Sequence, residues 1–203
     1  DKMPYSFWTH MPGTDLDPEA ISQKTYEFYK KYDFDFVKTM NNGMYAIEDF
    51  GCTVDYSEIV KGGVAKVVST PISCAADWRK LTVCPCTQGS NARELRHLQL
   101  VLEKLKGEEV PVIFTAFTPI TIADKISGGK LISYIEEGHG DDVKAALEVI
   151  TETTAQLVAA AIDMGADGIF LASQMSSYDK CTDRQYLEYG KPYDLRVINA
   201  YKD

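Results

Sequence analysis

One nearly continuous apolar segment, residues 110–117, constrains the fold more than any other part of the chain. It reads Val-Pro-Val-Ile-Phe-Thr-Ala-Phe and carries almost no polar positions. A strand that is apolar on both faces must be covered on both faces, which is the usual environment of a strand in a parallel α/β sheet. The segment therefore predicts a buried strand with helices on either side of its sheet.

Three further segments, residues 3–8, 34–40 and 167–174, show a similar strand character. Helical patterns separate them, so about four buried strands alternate with helices. This alternation predicts an α/β fold with a parallel sheet, either open and doubly wound or closed into a barrel. Residues 45–80 are less regular, and we expect them to form an insertion over one face.

The helices carry recognisable start and stop signals. Asp17 and Pro18 suit the N-cap and first position of a helix that runs to about Tyr32. Leucines at helical spacing predict a helix over 91–106, and an alanine-rich segment predicts another over 141–164. Two more helices are expected, from about residue 182 and after residue 192.

The charge balance argues against two classes of partner. The chain has 21 basic and 30 acidic residues, for a net charge of −9, whereas nucleic-acid binding relies on clustered lysine and arginine. The chain contains no run of 18 apolar residues, so its sequence predicts no transmembrane helix. Five cysteines, an odd number in a chain large enough to fold without disulfides, favour a reduced, cytoplasmic setting. We expect neither nucleic acid nor membrane as a partner.

Four ordered segments resemble the superfamily of uroporphyrinogen decarboxylase and the corrinoid methyltransferases. They are residues 3–10, residues 33–51 with Glu-Asp-Phe-Gly at their end, residues 117–123, and residues 165–174 followed by Tyr186 and residues 191–193. The resemblance implies that residues 1–203 form the N-terminal part of a single (β/α)8 TIM-barrel domain, with its site at the carboxyl ends of the strands.

A closed barrel of this kind takes roughly 250 residues. We therefore expect an incomplete barrel of about four parallel strands. Such a sheet leaves both of its edge strands unpaired, and exposed strand edges invite unwanted pairing. The remaining C-terminal part of the barrel is expected to be cleaved off, carried by another chain, or simply not included in this sequence. Pairing of two such half-barrels is the alternative.

The resemblance also implies which residues a uroporphyrinogen decarboxylase would need. Thr9 and Gly13 stand where the decarboxylase has arginines that hold substrate carboxylates, a task that threonine and glycine cannot perform. Asn42 replaces the catalytic aspartate, Lys125 an active-site tyrosine, and Ala172 a serine. These departures favour the methyltransferase branch by elimination.

Methyltransferases of this superfamily move methyl groups between corrinoid proteins and thiols and use zinc, which makes a bound thiol nucleophilic. The resemblance implies that their zinc ligands lie in the C-terminal half of the barrel, so we expect no metal ligand in this chain. Zinc, a corrinoid and a corrinoid protein are expected only of the complete protein. A tetrapyrrole decarboxylase with a rearranged site and a non-catalytic corrinoid-binding module remain as alternatives.

Polar residues at the predicted strand ends form the candidate site. We expect His10 and Asn42 to act in catalysis, although His10 suits a structural role equally well. The expected substrate-binding residues are Met40, Asn41, Ser173 and Gln174. Turn formation before Gly43 offers a second explanation for the two asparagines. Four methionines near strand ends could line an apolar pocket or simply pack in the core, namely Met11, Met40, Met44 and Met175.

Other chemically suggestive residues have simpler explanations. Glu48 and Asp49 could supply a general base, but a solvated acidic pair is the default expectation. His97 is expected at the surface of its amphipathic helix, and His139 in a loop. Cys84 and Cys86 are expected in a surface loop before a helix rather than in a metal or redox site. The remaining cysteines are expected to be small apolar residues.

Overall fold

The structure is a computed structural model that describes residues 3–201. Its helices are α1 (Pro18–Tyr32), α2 (Tyr45–Glu48), α3 (Gly89–Lys104), α4 (Pro119–Ile126), α5 (Leu131–Tyr134), α6 (Gly140–Met164), α7 (Asp183–Tyr189) and α8 (Lys191–Asn199). Its strands are β1 (Val37–Lys38), β2 (Thr53–Asp55), β3 (Lys66–Ser69), β4 (Val112–Phe117) and β5 (Gly168–Ala172). Short 3₁₀ helices occupy Ile59–Lys61 and Ala75–Lys80, and a π turn joins α5 to α6.

The main sheet has three parallel strands in the order β1-β4-β5. Val37 lies opposite Val112 on one side of β4, and Phe170 lies opposite Thr115 on the other. Helices connect the strands, so the parallel α/β fold is confirmed and the sheet forms part of a barrel wall. The described residues supply three paired strands, one fewer than the sequence predicts.

The missing fourth strand is the segment of residues 3–8. It lies beside the start of β1, where the Asp35 amide donates to the Tyr5 carbonyl at 3.0 Å. In return, the Tyr5 amide donates to the carboxylate of Asp35 at 2.8 Å rather than to a backbone carbonyl. A side chain therefore occupies the place of a ladder partner, and the predicted strand over 34–40 is likewise reduced to its two paired residues.

The helix signals are confirmed. Asp17 caps α1 through hydrogen bonds from the Glu19 and Ala20 amides, and Pro18 is the first helical residue. Helix α6 ends at Gly165, whose φ of +117° is a conformation that glycine adopts readily.

The long helix α6 belongs to the core. The sequence predicts no transmembrane helix, yet the segment Leu131–Met164 has the length and composition of a membrane-crossing helix. In the fold, however, α6 packs against α4, α8 and β4. It buries apolar side chains along its length, including Val143, Leu147, Ile150, Leu157 and Val158. Each buried aliphatic side chain of this size contributes roughly 1.5–3 kcal/mol to folding, so packing in the protein core accounts for the composition.

Residues 45–80 form the expected insertion. Strands β2 and β3 pair antiparallel, and the loop between them reaches the carboxyl end of the main sheet. Strand β3 is exposed along its whole length.

Candidate functional site

A cavity of about 470 Å³ opens at the carboxyl end of the main sheet, within the volume range of small-molecule sites. Alternate residues of each strand face it, because successive side chains of a strand point to opposite faces. These inward-facing residues are Lys38 at the end of β1 and Met40 just beyond it, Thr115 and Phe117 on β4, and Phe170 and Ala172 on β5. The cavity therefore occupies the inner face of the incomplete barrel.

Five of the six predicted site residues line this cavity: His10, Met40, Asn41, Asn42 and Gln174. Ser173 does not. Its hydroxyl pairs instead with that of Ser176. The structure thus brings together the residues on either side of Ser173 but not Ser173 itself.

Asn42 is held firmly by its neighbours. Its Oδ1 accepts hydrogen bonds from the Met44 amide at 2.9 Å and from the Tyr56 hydroxyl at 3.1 Å. Tyr56 also lies 3.0 Å from Glu48, which pairs with Arg93 at 2.8 Å. The carbonyl of the amide is committed to the protein, so Asn42 is placed to position other groups.

Asp15 is a lining residue that the sequence reading did not single out. It is buried, and its Oδ1 has no hydrogen-bond partner among residues 3–201. Burial raises the pKa of this carboxyl, while hydrogen bonds from its own and Gly13 backbone and the Asn42 side chain, with the charge of Arg93, act to lower it. A carboxyl with a raised pKa at the wall of a cavity is suited to exchanging a proton with a ligand.

Lys38 is the second lining residue that was missed. It is only 8% exposed, and its Nζ lies 4.5 Å from the ring centroids of both Trp8 and Phe170. Desolvation lowers the pKa of its ammonium group to about 8. None of the described residues accepts a hydrogen bond from it or forms an ion pair with it, so its three donors are unused.

Asn41 lies three residues after Lys38 in the chain, and a hydrogen-bonded pair of threonines, Thr39 and Thr115, holds its side chain. The Thr39 hydroxyl accepts from the Thr115 amide at 3.0 Å and donates its proton to Oδ1 of Asn41. The Nδ2 of Asn41 takes no part in these hydrogen bonds, and it is buried without a partner in the described part of the chain. Such groups are uncommon in folded proteins and call for an explanation.

Lys125 brings a second amine to the cavity. Its Nζ donates to the Gly43 carbonyl at 3.2 Å and lies over the Phe117 ring at 4.5 Å. Burial lowers the pKa of this lysine as well, partly offset by Asp124. Unlike Lys38, this amine has a backbone acceptor.

Three of the four methionines lie in one of the two expected environments, and Met11 lies in neither. Met40 and Met44 line the cavity, whereas Met175 is buried outside it and Met11 lies apart from the lining. The apolar character of the cavity comes mainly from these two thioethers and from the aromatic rings of the strands.

Two expectations about charged residues are wrong. Glu48 and Asp49 are not a solvated pair: Glu48 pairs with Arg93, and Asp49 accepts hydrogen bonds from the Ser90 and Asn91 amides at the start of α3. His97 is not on the surface but 1% exposed, because α3 packs against α1 on that side.

No metal site is evident in the described residues, which contain no group of three His, Cys, Asp or Glu side chains arranged to hold an ion. Cys84 lies in the loop before α3, but contrary to the expectation of a surface loop it is buried, and its thiol donates to the Asp49 carbonyl. Cys52 and Cys181 are buried, whereas Cys74 is exposed, contrary to the expectation of an apolar packing residue. His139 lies in the π turn near Asp142.

A lysine inside an otherwise apolar strand is the sequence signal that could have identified Lys38. Asp15 offers no comparable signal, because it lies among turn residues next to the N-cap Asp17.

An arc of parallel strands with a small-molecule cavity at their carboxyl ends is characteristic of TIM-barrel proteins. Comparison with known proteins gives the particular family. The family model described as uroporphyrinogen decarboxylase (URO-D) matches residues 6–203, and the chain belongs to this family.

Two curated relatives are methyltransferases of methanogens. The chain is 23% identical over 198 residues to the methylcobamide:CoM methyltransferase MtbA of Methanosarcina mazei, and 22% identical to that of Methanosarcina acetivorans. In both cases the match covers 98% of this chain and 56% of the relative. The chain thus spans little more than half the length of these relatives.

A solved structure, a methyltransferase from Methanosarcina mazei, shares the fold with a TM-score of 0.80 at 18% identity. It is covered over 57% of its length by 96% of this chain. The incomplete barrel expected from the resemblance is confirmed by this match.

Proposed function

We propose that the protein transfers a methyl group between a corrinoid and a thiol, and that residues 1–203 supply the N-terminal part of its single barrel domain. The observation that carries the proposal is the match of nearly the whole chain to two methylcobamide:CoM methyltransferases. We further propose a cytoplasmic location, a corrinoid protein as partner, and a remaining C-terminal part of the barrel outside this chain.

The composition of the cavity supports this choice over decarboxylation. Its described lining contains no arginine, although a substrate with as many carboxylates as uroporphyrinogen calls for bidentate guanidinium groups. Arg93, the nearby arginine, is already paired with Glu48 and Glu94. The positions that the decarboxylase fills with aspartate and serine hold Asn42 and Ala172 here.

The described residues do not fit a zinc site, because they present no three-ligand cluster. We therefore propose that the zinc expected of this methyltransferase class takes its ligands from outside the chain. The cavity residues have separate tasks. Met40, Met44 and Phe117 exclude water, and Asp15 accepts a hydrogen bond or proton from the bound acceptor. His10, at the exposed rim, and Gln174 contact the substrate, and Asn42 positions Asp15.

The proposal is tested by incubating the complete protein with methylcobalamin and 2-mercaptoethanesulfonate. The expected result is loss of the methylcobalamin absorbance and formation of the methyl thioether, detected by mass spectrometry. Uroporphyrinogen is expected to release no carbon dioxide. Carbon dioxide release without methyl transfer would establish the decarboxylase alternative instead, and absence of both reactions together with absence of zinc would favour the binding module.

Variants of two aspartates test the role of the cavity. Asp15→Asn is expected to reduce methyl transfer by roughly tenfold or more, since positioned proton exchange typically contributes 10²–10⁴-fold. Asp163→Asn, on the exposed surface of α6, serves as the matched control and should retain full activity. Equal activity of both variants would remove Asp15 from the proposed site.

A further inference from the structure

The inner face of β1 carries a cation without a counterion. Lys38 is more than nine-tenths buried, and its ammonium group lies between two aromatic rings that also line the cavity. The rings face the cation but accept no hydrogen bond of ordinary strength. Within residues 3–201, no carboxylate or carbonyl accepts a hydrogen bond from the amine or forms an ion pair with it.

Buried ammonium groups are normally paired, because an unpaired buried charge is costly. Asn41, three residues further along the chain, also lines the cavity. Its Nδ2 is buried without a partner in the described part of the chain. The ammonium group of Lys38 is suited to the oxygens of one anionic group, and the amide of Asn41 is a second donor close to it in sequence.

Lys125 does not share this condition. It donates to the Gly43 carbonyl, and the charge of the neighbouring Asp124 offsets part of the lowering of its pKa by burial. Asp15 is the only carboxylate among the described lining residues, and no ion pair joins it to Lys38. The unsatisfied positive charge of the cavity is therefore concentrated at Lys38.

We propose that Lys38 and Asn41 form a binding subsite for the carboxylate or sulfonate group of a small organic substrate, on the inner face of β1. The aromatic rings of Trp8 and Phe170 hold the ammonium in place while the anion completes its hydrogen bonds. The identification of this anion as part of the methyl acceptor rests on the proposed function, whereas anion binding itself does not.

The test is calorimetric titration of the complete protein at pH 7 with ethanesulfonate and with propionate, and with propionamide as a neutral probe of similar shape. Ethanesulfonate or propionate is expected to bind, and propionamide at least roughly tenfold more weakly, because a charge-assisted hydrogen bond is stronger than a neutral one. The stronger of the two anions identifies the preferred group. Equal binding of propionamide, or no binding of either anion, would overturn the proposal.

Variants locate the subsite. Lys38→Met is expected to weaken anion binding roughly tenfold to a hundredfold, the range expected for hydrogen bonds to charged groups. Lys125→Met, in the same cavity, and Lys106→Met, on the surface, should change it much less. A larger loss in Lys125→Met than in Lys38→Met would contradict the assignment.

A measurement on the unaltered protein avoids reliance on variants. The rate of reductive methylation of Lys38, followed by peptide mass spectrometry, should fall when ethanesulfonate is added, while exposed lysines react as before. Unchanged reactivity of Lys38 at saturating ethanesulfonate would contradict the subsite. Methyl transfer to neutral and anionic thiols at equal rates would likewise overturn the subsite but leave the proposed methyltransferase intact, so the two proposals fail separately.

Discussion

Replacing Lys38 by methionine should make the protein more stable at neutral pH, although it removes a buried interaction. The ordinary pKa of the amine is 10.5, and desolvation lowers it to about 8 in the fold. At about 1.4 kcal/mol for each pH unit, this difference corresponds to a cost of about 3 kcal/mol for keeping the ammonium charged. Two cation–π contacts of about 0.5–1 kcal/mol each offset part of it. We expect a net gain of about 1–2 kcal/mol in the free energy of unfolding.

The pH dependence of this gain follows from the sign of the shift. Because the folded pKa is below the unfolded one, the unfolded chain binds more protons between pH 8 and 10.5, and stability of the unaltered protein rises with pH there. The cost of the charge is complete below pH 8 and absent above pH 10.5. The advantage of the Lys38→Met variant should therefore be largest at pH 7 and should disappear toward pH 10.5.

Urea unfolding followed by far-ultraviolet circular dichroism at pH 7 and pH 10 measures both quantities. Methionine suits the vacated slot because its thioether packs well against aromatic rings. Lys106→Met, at an exposed position, should stay within about 0.5 kcal/mol of the unaltered protein. A Lys38→Met variant that is less stable at pH 7, or whose advantage is independent of pH, would refute the reasoning and assign Lys38 a purely structural role.

Three further changes test neighbouring features. Asp49→Ala removes the acceptor of two amides at the start of α3 and should lower the free energy of unfolding by about 1–3 kcal/mol in urea; no loss would show that the cap is dispensable. Asp194→Asn should raise the same quantity at pH 7.5, since burial raises the pKa of Asp194 to about 6. This gain of at most about 3 kcal/mol should vanish near pH 4, where the folded carboxyl is protonated, and a pH-independent effect would contradict it. Phe170→Leu removes one cation–π contact and should lower the pKa of Lys38 below 8. The pH dependence of the reductive methylation of Lys38 measures this pKa. An unchanged value would show that the Phe170 ring does not stabilise the charged amine.

The elements that the sequence predicts well are those with local signals. Asp17 and Pro18 define the start of α1 by hydrogen bonding and backbone geometry that involve only neighbouring residues. Gly165 ends α6 for the same reason. The apolar segment containing β4 is correct because β4 is the central strand, and covering on both faces leaves a clear pattern in the sequence.

The elements that the sequence predicts poorly depend on distant partners. Residues 3–8 are as apolar as a strand. The Tyr5 amide nevertheless donates its hydrogen bond to the carboxylate of Asp35, 30 residues away in the sequence, instead of to a backbone carbonyl of a neighbouring strand. His97 follows the polar spacing of a surface residue, but α1 covers it, and Thr25 lies 3.5 Å from its Nε2. Neither contact leaves a local mark.

The candidate site shows the same division. Residues just past a strand end, such as Asn41 and Gln174, could be selected because barrels place ligands there. Ser173 shows the limit of that rule: position along the chain selects a strand end, but it does not select which of the side chains there line the cavity. Lys38 lies within the strand, so the rule does not select it, although its charge in an apolar segment marks it.

The position of Lys38 also reports the curvature of the sheet. β1 and β5 lie on opposite sides of β4, so in a flat sheet they would be about 9–10 Å apart. The Lys38 ammonium nevertheless lies over the Phe170 ring of β5, across the inner face of β4. A side chain that bridges two outer strands in this way fits a concave face, which a barrel wall provides. The position that desolvates the ammonium also places it at the wall of the cavity, so the fold that makes the charge costly also makes it available to a ligand.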